Sequence, residues 1–252
     1  MRIPRIFLAT DLQTAWGKGE PVDFDETSRR HTAQVLRLKP GATVILFDGR
    51  GGEYEAILDE VSKRRVSARL SNFVNRCVES PLTITLIQGI SRGERMDTTL
   101  QKATELGVKE VVPVTTDRCG VHLSGDRQQK RRQHWQGIVT AACQQSGRTR
   151  LPLINDIKPV TECLQGFPPG DELRLILDPT AEQRLGQMTK THATSPDRLI
   201  LLIGPEGGLT ANEIRLAQQQ GFIPVALGPR ILRTETAGIT ALAIIQALWG
   251  DS

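Results

Sequence analysis

From about residue 80 onward, strand-like and helix-like segments alternate, and this alternation most limits what the chain can fold into. Five apolar segments have strand patterns: "LTITLIQGI", "VKEVVPV", "FIPVALG", "LRLILD" and "RLILLIG". The last two lack polar alternation, which is typical of strands buried on both faces. Helical patterns separate and follow them, so the sequence predicts an α/β fold with a mostly parallel sheet covered on both faces.

The helix ends are marked by residue type. "MDTTLQKATELG" stops at Gly107, and a long helix is predicted from Asp126 to Ser146. Thr210 and Glu213 have capping-box spacing, which predicts a helix start in "TANEIRLAQQQG". A final helix from Thr234 to Trp249 is small or apolar on almost every face. Such a helix is buried, either in the core or against another subunit.

The first 75 residues have a different pattern. In "TVILFDGRGGEYEAIL" two strand-like runs flank a glycine-rich turn, which predicts a β-hairpin. The turn does not match a dinucleotide fingerprint, because Tyr54 stands where the third glycine is needed. The sequence therefore predicts a small β-rich domain over residues 1–75 and the α/β domain over residues 76–252.

Charge and cysteine usage narrow the class of protein. The net charge is +4, but seven of the basic residues lie between Arg118 and Arg150 against the single acidic residue Asp126. That block indicates either a polyanion partner or a solvated helix face. Four scattered cysteines and the lack of a long apolar run predict a cytoplasmic protein with reduced thiols, no metal site and no membrane span.

Two glycine turns follow predicted strands and carry charged residues. They are "GPEGG", residues 204–208, and "GPRILRTET", residues 228–236. Ligands of parallel sheets bind outside the carboxyl ends of the strands, and glycine lets the main chain approach a ligand closely. Neither turn is a phosphate loop. The sequence predicts that the two turns together enclose a small polar molecule with a flat apolar part.

These turns also carry a family resemblance. "LLIGPEGGLTANEI" and "LGPRILRTETAGITALA" resemble the two signature loops of the RsmE family, the 16S rRNA uridine N3-methyltransferases of the SPOUT superfamily. "HTAQVLRLKPG" and "LFDGRGGEYEA" resemble the N-terminal PUA-like RNA-binding β-barrel of that family. "SRGERMDTTLQKATELGV", "DRCGVHL" and "AACQQSGRTRLPLI" resemble its middle segments, so the likeness extends over nearly the whole chain.

The resemblance implies a function and a partner. The C-terminal domain would be a trefoil-knotted SPOUT domain that binds S-adenosylmethionine and forms a homodimer. Its substrate would be 16S rRNA within the 30S subunit. Two alternatives stay open: a SPOUT methyltransferase that acts on another RNA or base, and a non-catalytic PUA-type RNA-binding protein.

The resemblance also implies site residues. The predicted donor-binding residues are Leu177, Gly204, Glu206, Gly207, Leu227, Gly228, Ile231, Leu232 and Arg233. Arg233 is predicted to orient the uracil or stabilise its developing anion, and Glu206 or a water molecule to take the N3 proton. No metal is required, because the reaction depends mainly on positioning.

RNA contacts are predicted from basic residues, because lysine and arginine bind the phosphate backbone. The residues are Arg2, Arg5, Arg30, Arg37, Arg127, Lys130, Arg131, Arg132, Arg148 and Arg150. The chain departs from the family pattern at Gln144, where a glutamate is common. Because glutamine cannot act as a base, Gln144 is left out of the predicted catalytic set.

Overall fold

The computed structural model describes residues 3–121, 124–167, 170–190 and 195–252. The chain forms two compact units. The N-terminal unit consists of residues 1–79 and 143–151, and the C-terminal unit of residues 80–142 and 152–252. A mid-chain segment thus belongs to the N-terminal unit, which the sequence-based division into residues 1–75 and 76–252 did not include.

The N-terminal unit contains one five-stranded sheet in the order β1-β3-β4-β5-β2. Its strands are β1 (Arg5–Phe7), β2 (Val22–Asp23), β3 (Thr43–Phe47), β4 (Glu53–Val61) and β5 (Val66–Val74). Strands β1 and β3 are parallel, and the other pairs are antiparallel. The predicted hairpin is confirmed as β3 and β4, and three glycines of its turn have positive φ.

Two short helices complete this unit. Helix α1 (Leu12–Lys18) and helix α2 (Glu26–Arg30) each begin with an aspartate whose side chain accepts a hydrogen bond from the first turn. A π-helical turn, His31–Val35, continues α2. It ends near Arg37, a non-glycine residue with φ of 52°. The apolar sides of the sheet and helices form one core that includes Ile6, Leu46 and Leu58.

The C-terminal unit is built on a parallel sheet, as the alternating pattern predicted. Its strands are β6 (Thr83–Gly89), β7 (Glu110–Thr115), β8 (Leu153–Ile154), β9 (Lys158–Pro159), β10 (Leu173–Leu177), β11 (Arg198–Ile203) and β12 (Ile223–Val225). The order is β12-β10-β11-β6-β7-β8, and β9 also pairs with β7. All of these pairs are parallel, so the carboxyl ends of the strands share one edge.

Helices cover both faces of this sheet. They are α3 (Glu94–Glu105), α4 (Asp126–Ser146), α5 (Val160–Gln165), α6 (Ala211–Gln219) and α7 (Thr234–Trp249), with a 3-10 helix at Leu185–Lys190. Side chains on the two faces enter different cores: Leu201 packs with the α3, α4 and α7 cluster, and Leu202 with the α5 and α6 cluster. None of the helices in the described part of the chain is long and apolar enough to span a membrane.

Helix α7 settles one question that the sequence left open. Its buried side includes Leu242, Ile245 and Trp249, which lie in the core. On another side Ala243 and Ala247 are exposed. The helix is therefore a core helix that also presents a small-residue face to its surroundings.

Candidate functional site

A cavity of about 700 Å³ lies at the carboxyl-terminal edge of the parallel sheet. Its walls come from the segments that follow β6, β7, β10 and β11 and from the start of α7. Apolar side chains form much of the lining, among them Leu177, Ile203, Leu209, Ile214 and Leu232. This edge is where open parallel sheets bind ligands, so the cavity is the candidate site of this unit.

The first loop, residues 204–210, follows β11 and is closely packed. The Thr234 hydroxyl donates a hydrogen bond to the Gly204 carbonyl at 2.7 Å. A Cβ at Gly89 would lie 2.5 Å from the Pro205 nitrogen, so only glycine at the end of β6 lets the loop approach. The predicted capping box is confirmed, because Thr210 and Glu213 satisfy each other's backbone amides at the start of α6. Many contacts therefore fix the path of the loop.

Glu206 lies in this loop and joins it to the start of α3. Its Oε1 accepts hydrogen bonds from the Arg92 backbone N–H at 2.8 Å and from the Arg95 guanidinium at 2.9 Å. Burial raises the pKa of Glu206, but these donors outweigh burial and leave the pKa below its ordinary value. A carboxylate with a lowered pKa is a weak base, so Glu206 is better suited to hold the loop than to accept a proton.

The second loop, residues 226–233, leads from β12 into α7 and has fewer contacts. The Ile231 side chain is 85% exposed beside the cavity. Arg233 precedes the first turn of α7, is exposed, and has no ion-pair partner among the described residues. Its guanidinium is therefore available to a ligand in the cavity.

The cavity brings together most of the predicted donor-binding residues. Six of the nine line it: Leu177, Gly204, Glu206, Ile231, Leu232 and Arg233. The other three lie outside its lining. Gly207 packs against Arg118, where a Cβ would lie 2.9 Å from backbone and side-chain atoms, and Leu227 packs against the core. For Gly228 the nearest atom to a Cβ would be 3.8 Å away, so packing does not explain that glycine.

Sequence reasoning missed several lining residues. Arg95, Arg118, Asp178 and Glu235 all line the cavity. Arg118 donates hydrogen bonds to the Gly207 and Leu209 carbonyls at 3.3 and 3.5 Å. A usable signal was present, because Arg95, Arg118 and Asp178 each come shortly after a predicted strand. The carboxyl ends of parallel strands meet at one edge, and side chains there lie close together.

Two of the predicted RNA-binding arginines are buried in the N-terminal unit. Arg5 pairs with Glu53, with both side chains 7% exposed, and it donates to the Gly147 and Arg148 carbonyls. Arg148 pairs with Glu79 at 2.5 Å. Buried and engaged guanidinium groups do not reach phosphates, so the prediction that these two contact RNA conflicts with the structure. Both belong to the interior of the unit.

Three other arginines of the N-terminal unit that were predicted to bind RNA are accessible. Arg30, Arg37 and Arg150 are exposed, while Arg2 lies outside the described residues. Gln144 is half-buried, and its side chain accepts a hydrogen bond from the Phe7 backbone N–H at 2.9 Å. Gln144 therefore has a structural partner within this unit.

The basic residues at the start of α4 form a surface. Arg127, Lys130 and Arg132 are exposed and Arg131 is half-buried, whereas Trp135, one turn further along the helix, is 1% exposed. Arg132 pairs with Asp156. The predicted basic helix face is therefore present in the C-terminal unit.

Family models match both parts of the chain. A model described as "RNA methyltransferase domain" matches residues 78–246, about two thirds of the sequence. A model described as "RNA methyltransferase PUA domain" matches residues 24–71.

Individual relatives match most of the chain. The chain is 30% identical to ribosomal RNA small subunit methyltransferase E of Buchnera aphidicola, over 99% of this chain and 98% of that protein. It is 31% identical to the Bacillus subtilis protein of the same name, over 86% of each.

Two solved structures are similar over their full length. One is ribosomal RNA small subunit methyltransferase E of Neisseria gonorrhoeae bound to S-adenosyl methionine, with 41% identity, a TM-score of 0.88 and 99% of both chains covered. The other is a methyltransferase of Legionella pneumophila in complex with the same cofactor, with 36% identity, a TM-score of 0.91 and both chains fully covered.

Proposed function

The chain belongs to the ribosomal RNA small subunit methyltransferase E family, and on that premise we propose that it transfers a methyl group from S-adenosylmethionine to N3 of a uridine in 16S rRNA. The cavity at the carboxyl ends of the parallel strands carries this proposal, because it is lined by both signature loops. The trefoil knot, the domain boundary and the cytoplasmic location stay predictions.

The cavity fits the proposed methyl donor. Its volume of about 700 Å³ lies within the roughly 300–1,000 Å³ of small-molecule sites. Leu177, Ile203, Leu209 and Leu232 offer apolar surface for an adenine ring, and Gly204 leaves the main chain accessible. Bound there, S-adenosylmethionine would supply a methyl group activated by a positively charged sulfur.

Residues of the chain would then position the target base. Arg233 is exposed at the cavity and has no ion-pair partner among the described residues, so we assign it to a uracil carbonyl oxygen, where negative charge grows as N3 loses its proton. A fixed positive charge at that point stabilises the transition state more than the ground state. The lowered pKa of Glu206 favours a holding role for it.

The decisive experiment measures methyl transfer from labelled S-adenosylmethionine to 30S subunits and, separately, to bulk tRNA, with the modified base identified by mass spectrometry. The proposal expects N3-methyluridine in 16S rRNA. Label in tRNA alone, or on another base, would reject the substrate and keep the enzyme class. Failure to bind the donor at all would favour a non-catalytic RNA-binding protein.

The exposed basic face of α4 is the proposed RNA surface of the C-terminal unit, and Arg30, Arg37 and Arg150 are proposed contacts of the N-terminal unit. Replacing Arg127 and Lys130 by glutamate is expected to weaken RNA binding most at low salt. Each lost phosphate contact lowers the slope of log affinity against log salt by about 0.7–0.9. The matched control is the same charge reversal at Lys63 and Arg64, which are also exposed. Equal salt slopes for the two double variants would place the RNA surface elsewhere.

We also propose a homodimer formed through the exposed face of α7. Ala243 and Ala247 are exposed there and Ile244 and Leu248 are half-buried, and small and apolar residues allow close packing between subunits. Ala243→Glu is expected to give a monomer by light scattering. Ala141→Glu, at an exposed alanine of α4, is the control, and a dimeric Ala243→Glu protein would reject this interface.

A further inference from the structure

Three carboxylates line the candidate cavity, and two of them hold loops. Asp178 Oδ1 accepts hydrogen bonds from the backbone N–H and the hydroxyl of Thr180, at 2.9 and 2.7 Å. Glu206 Oε1 accepts from the Arg92 N–H and the Arg95 guanidinium. Both side chains therefore have structural partners that account for their presence.

The third carboxylate, Glu235, is held differently. Its side chain is 17% exposed, and Oε1 lies 3.9 Å from Arg95 Nε. Its Oε2 is buried and has no hydrogen-bond partner in the described part of the chain. A buried carboxylate oxygen without a donor is unfavourable, and such groups in folded proteins call for an explanation. Because Glu235 lines the cavity and its carboxylate lacks a full set of donors, the carboxylate is left for a ligand.

The position of Glu235 is well defined. Thr234, the preceding residue, is buried, donates to the Gly204 carbonyl at 2.7 Å and accepts a hydrogen bond from Gln88 at 3.3 Å. These bonds tie the first turn of α7 to the first loop and to strand β6. A carboxylate on a fixed helical turn has the preorganisation that a group acting on a bound base requires.

Resting on the proposed function, we propose that Glu235 is the proton acceptor of the reaction. The N3 proton of the target uracil passes to the Glu235 carboxylate, and the electron pair of the N–H bond stays with the ring. The N3–carbon bond forms while the carbon–sulfur bond breaks, and the electron pair of that bond leaves with sulfur. Glu235 thus removes the proton while Arg233, two residues earlier, balances charge on a carbonyl oxygen.

The test compares Glu235→Gln with Glu162→Gln. Glu162 is also a glutamate in the first turn of a helix, but it is exposed and lies outside the cavity lining. Both substitutions remove one negative charge near a helix N-terminus. Glu235→Gln is expected to lower the single-turnover methyl-transfer rate by about 100-fold or more, while calorimetry shows unchanged affinity for S-adenosylmethionine. Glu162→Gln is expected to retain the wild-type rate.

A second substrate separates proton removal from positioning. In 30S subunits reconstituted with 16S rRNA that contains 5-fluorouridine, the N3–H of the target base is more acidic than in uridine. Its deprotonation therefore depends less on a general base. On this substrate, the loss of single-turnover methyl-transfer rate in Glu235→Gln relative to wild type is expected to be smaller by about 10-fold or more, as general-base behaviour requires. A wild-type rate for Glu235→Gln, or an equal deficit on both substrates, would overturn the assignment to Glu235. An inactive wild-type protein would overturn the proposed function itself.

Discussion

The two loops of the cavity are built in opposite ways. The first loop is fixed at several points: Gly204 to Thr234, Pro205 against Gly89, and Glu206 to Arg92 and Arg95. In the second loop, Ile231 is 85% exposed and Arg233 has no ion-pair partner among the described residues. The first loop is therefore a preformed wall, whereas the second presents groups whose partners would come from the ligand.

The largest expected effect follows from the second loop. Arg233→Ala should lower methyl transfer by about 100-fold to 1,000-fold, the usual result of removing a group that stabilises transition-state charge. Its thermal unfolding should match that of wild type, because the side chain is exposed and packs little. Rate and melting temperature are measured on the same preparation. A large loss of stability would show that the second loop is as fixed as the first.

A pair of glycine substitutions tests the same contrast in stability. Gly89→Ala places a Cβ 2.5 Å from the Pro205 nitrogen, so overpacking should reduce the free energy of unfolding by about 1–3 kcal/mol. Gly228→Ala in the second loop meets its nearest atom at 3.8 Å and should leave stability unchanged. Urea unfolding measures both variants. Equal losses of unfolding free energy in the two variants would contradict the distinction between the loops.

The smallest expected effect concerns Glu206. Its lowered pKa means that the folded state favours the ionised carboxylate. This contribution is present above the ordinary pKa of 4.5 and is lost as the pH falls through the lower folded-state value. Glu206→Gln should therefore be less stable than wild type at neutral pH, by under about 1 kcal/mol for a partly exposed pair. The difference in free energy of unfolding between the two proteins should vanish in acid. Urea unfolding curves recorded across a range of pH measure it, and a difference that does not change with pH would show that ionisation of Glu206 is not its cause.

Sequence patterns predicted the long elements well. The helices Asp126–Ser146 and Thr234–Trp249 have the predicted bounds, because glycines or polar caps stop a clear periodicity. Short elements such as α5 and β8 were missed. Two residues of β8 carry too little pattern to be separated from a loop, and their pairing depends on the neighbouring strand.

The candidate site could be predicted only in part. The loops were found because glycine, proline and charge stand out between a strand and a helix. Arg95 could have been placed at this edge from its position after a predicted strand, but its bond to Glu206 could not be predicted. Arg92 and Arg95 lie more than 100 residues from Glu206 in sequence and meet the loop only through the sheet order. The burial of Arg5 and Arg148 was also invisible, because a basic residue in a sequence looks the same whether it faces solvent or an ion pair.

The membership of residues 143–151 in the N-terminal unit has a consequence for synthesis of the chain. Arg5 bonds to the carbonyls of Gly147 and Arg148, and Glu79 to the Arg148 side chain. A nascent chain that has released only its first 79 residues still lacks these partners. The unit at the amino terminus therefore completes its interior only after residue 151 has left the ribosome. An isolated fragment of residues 1–79 would keep the Arg5–Glu53 pair but would lack the partners from residues 147–148 permanently.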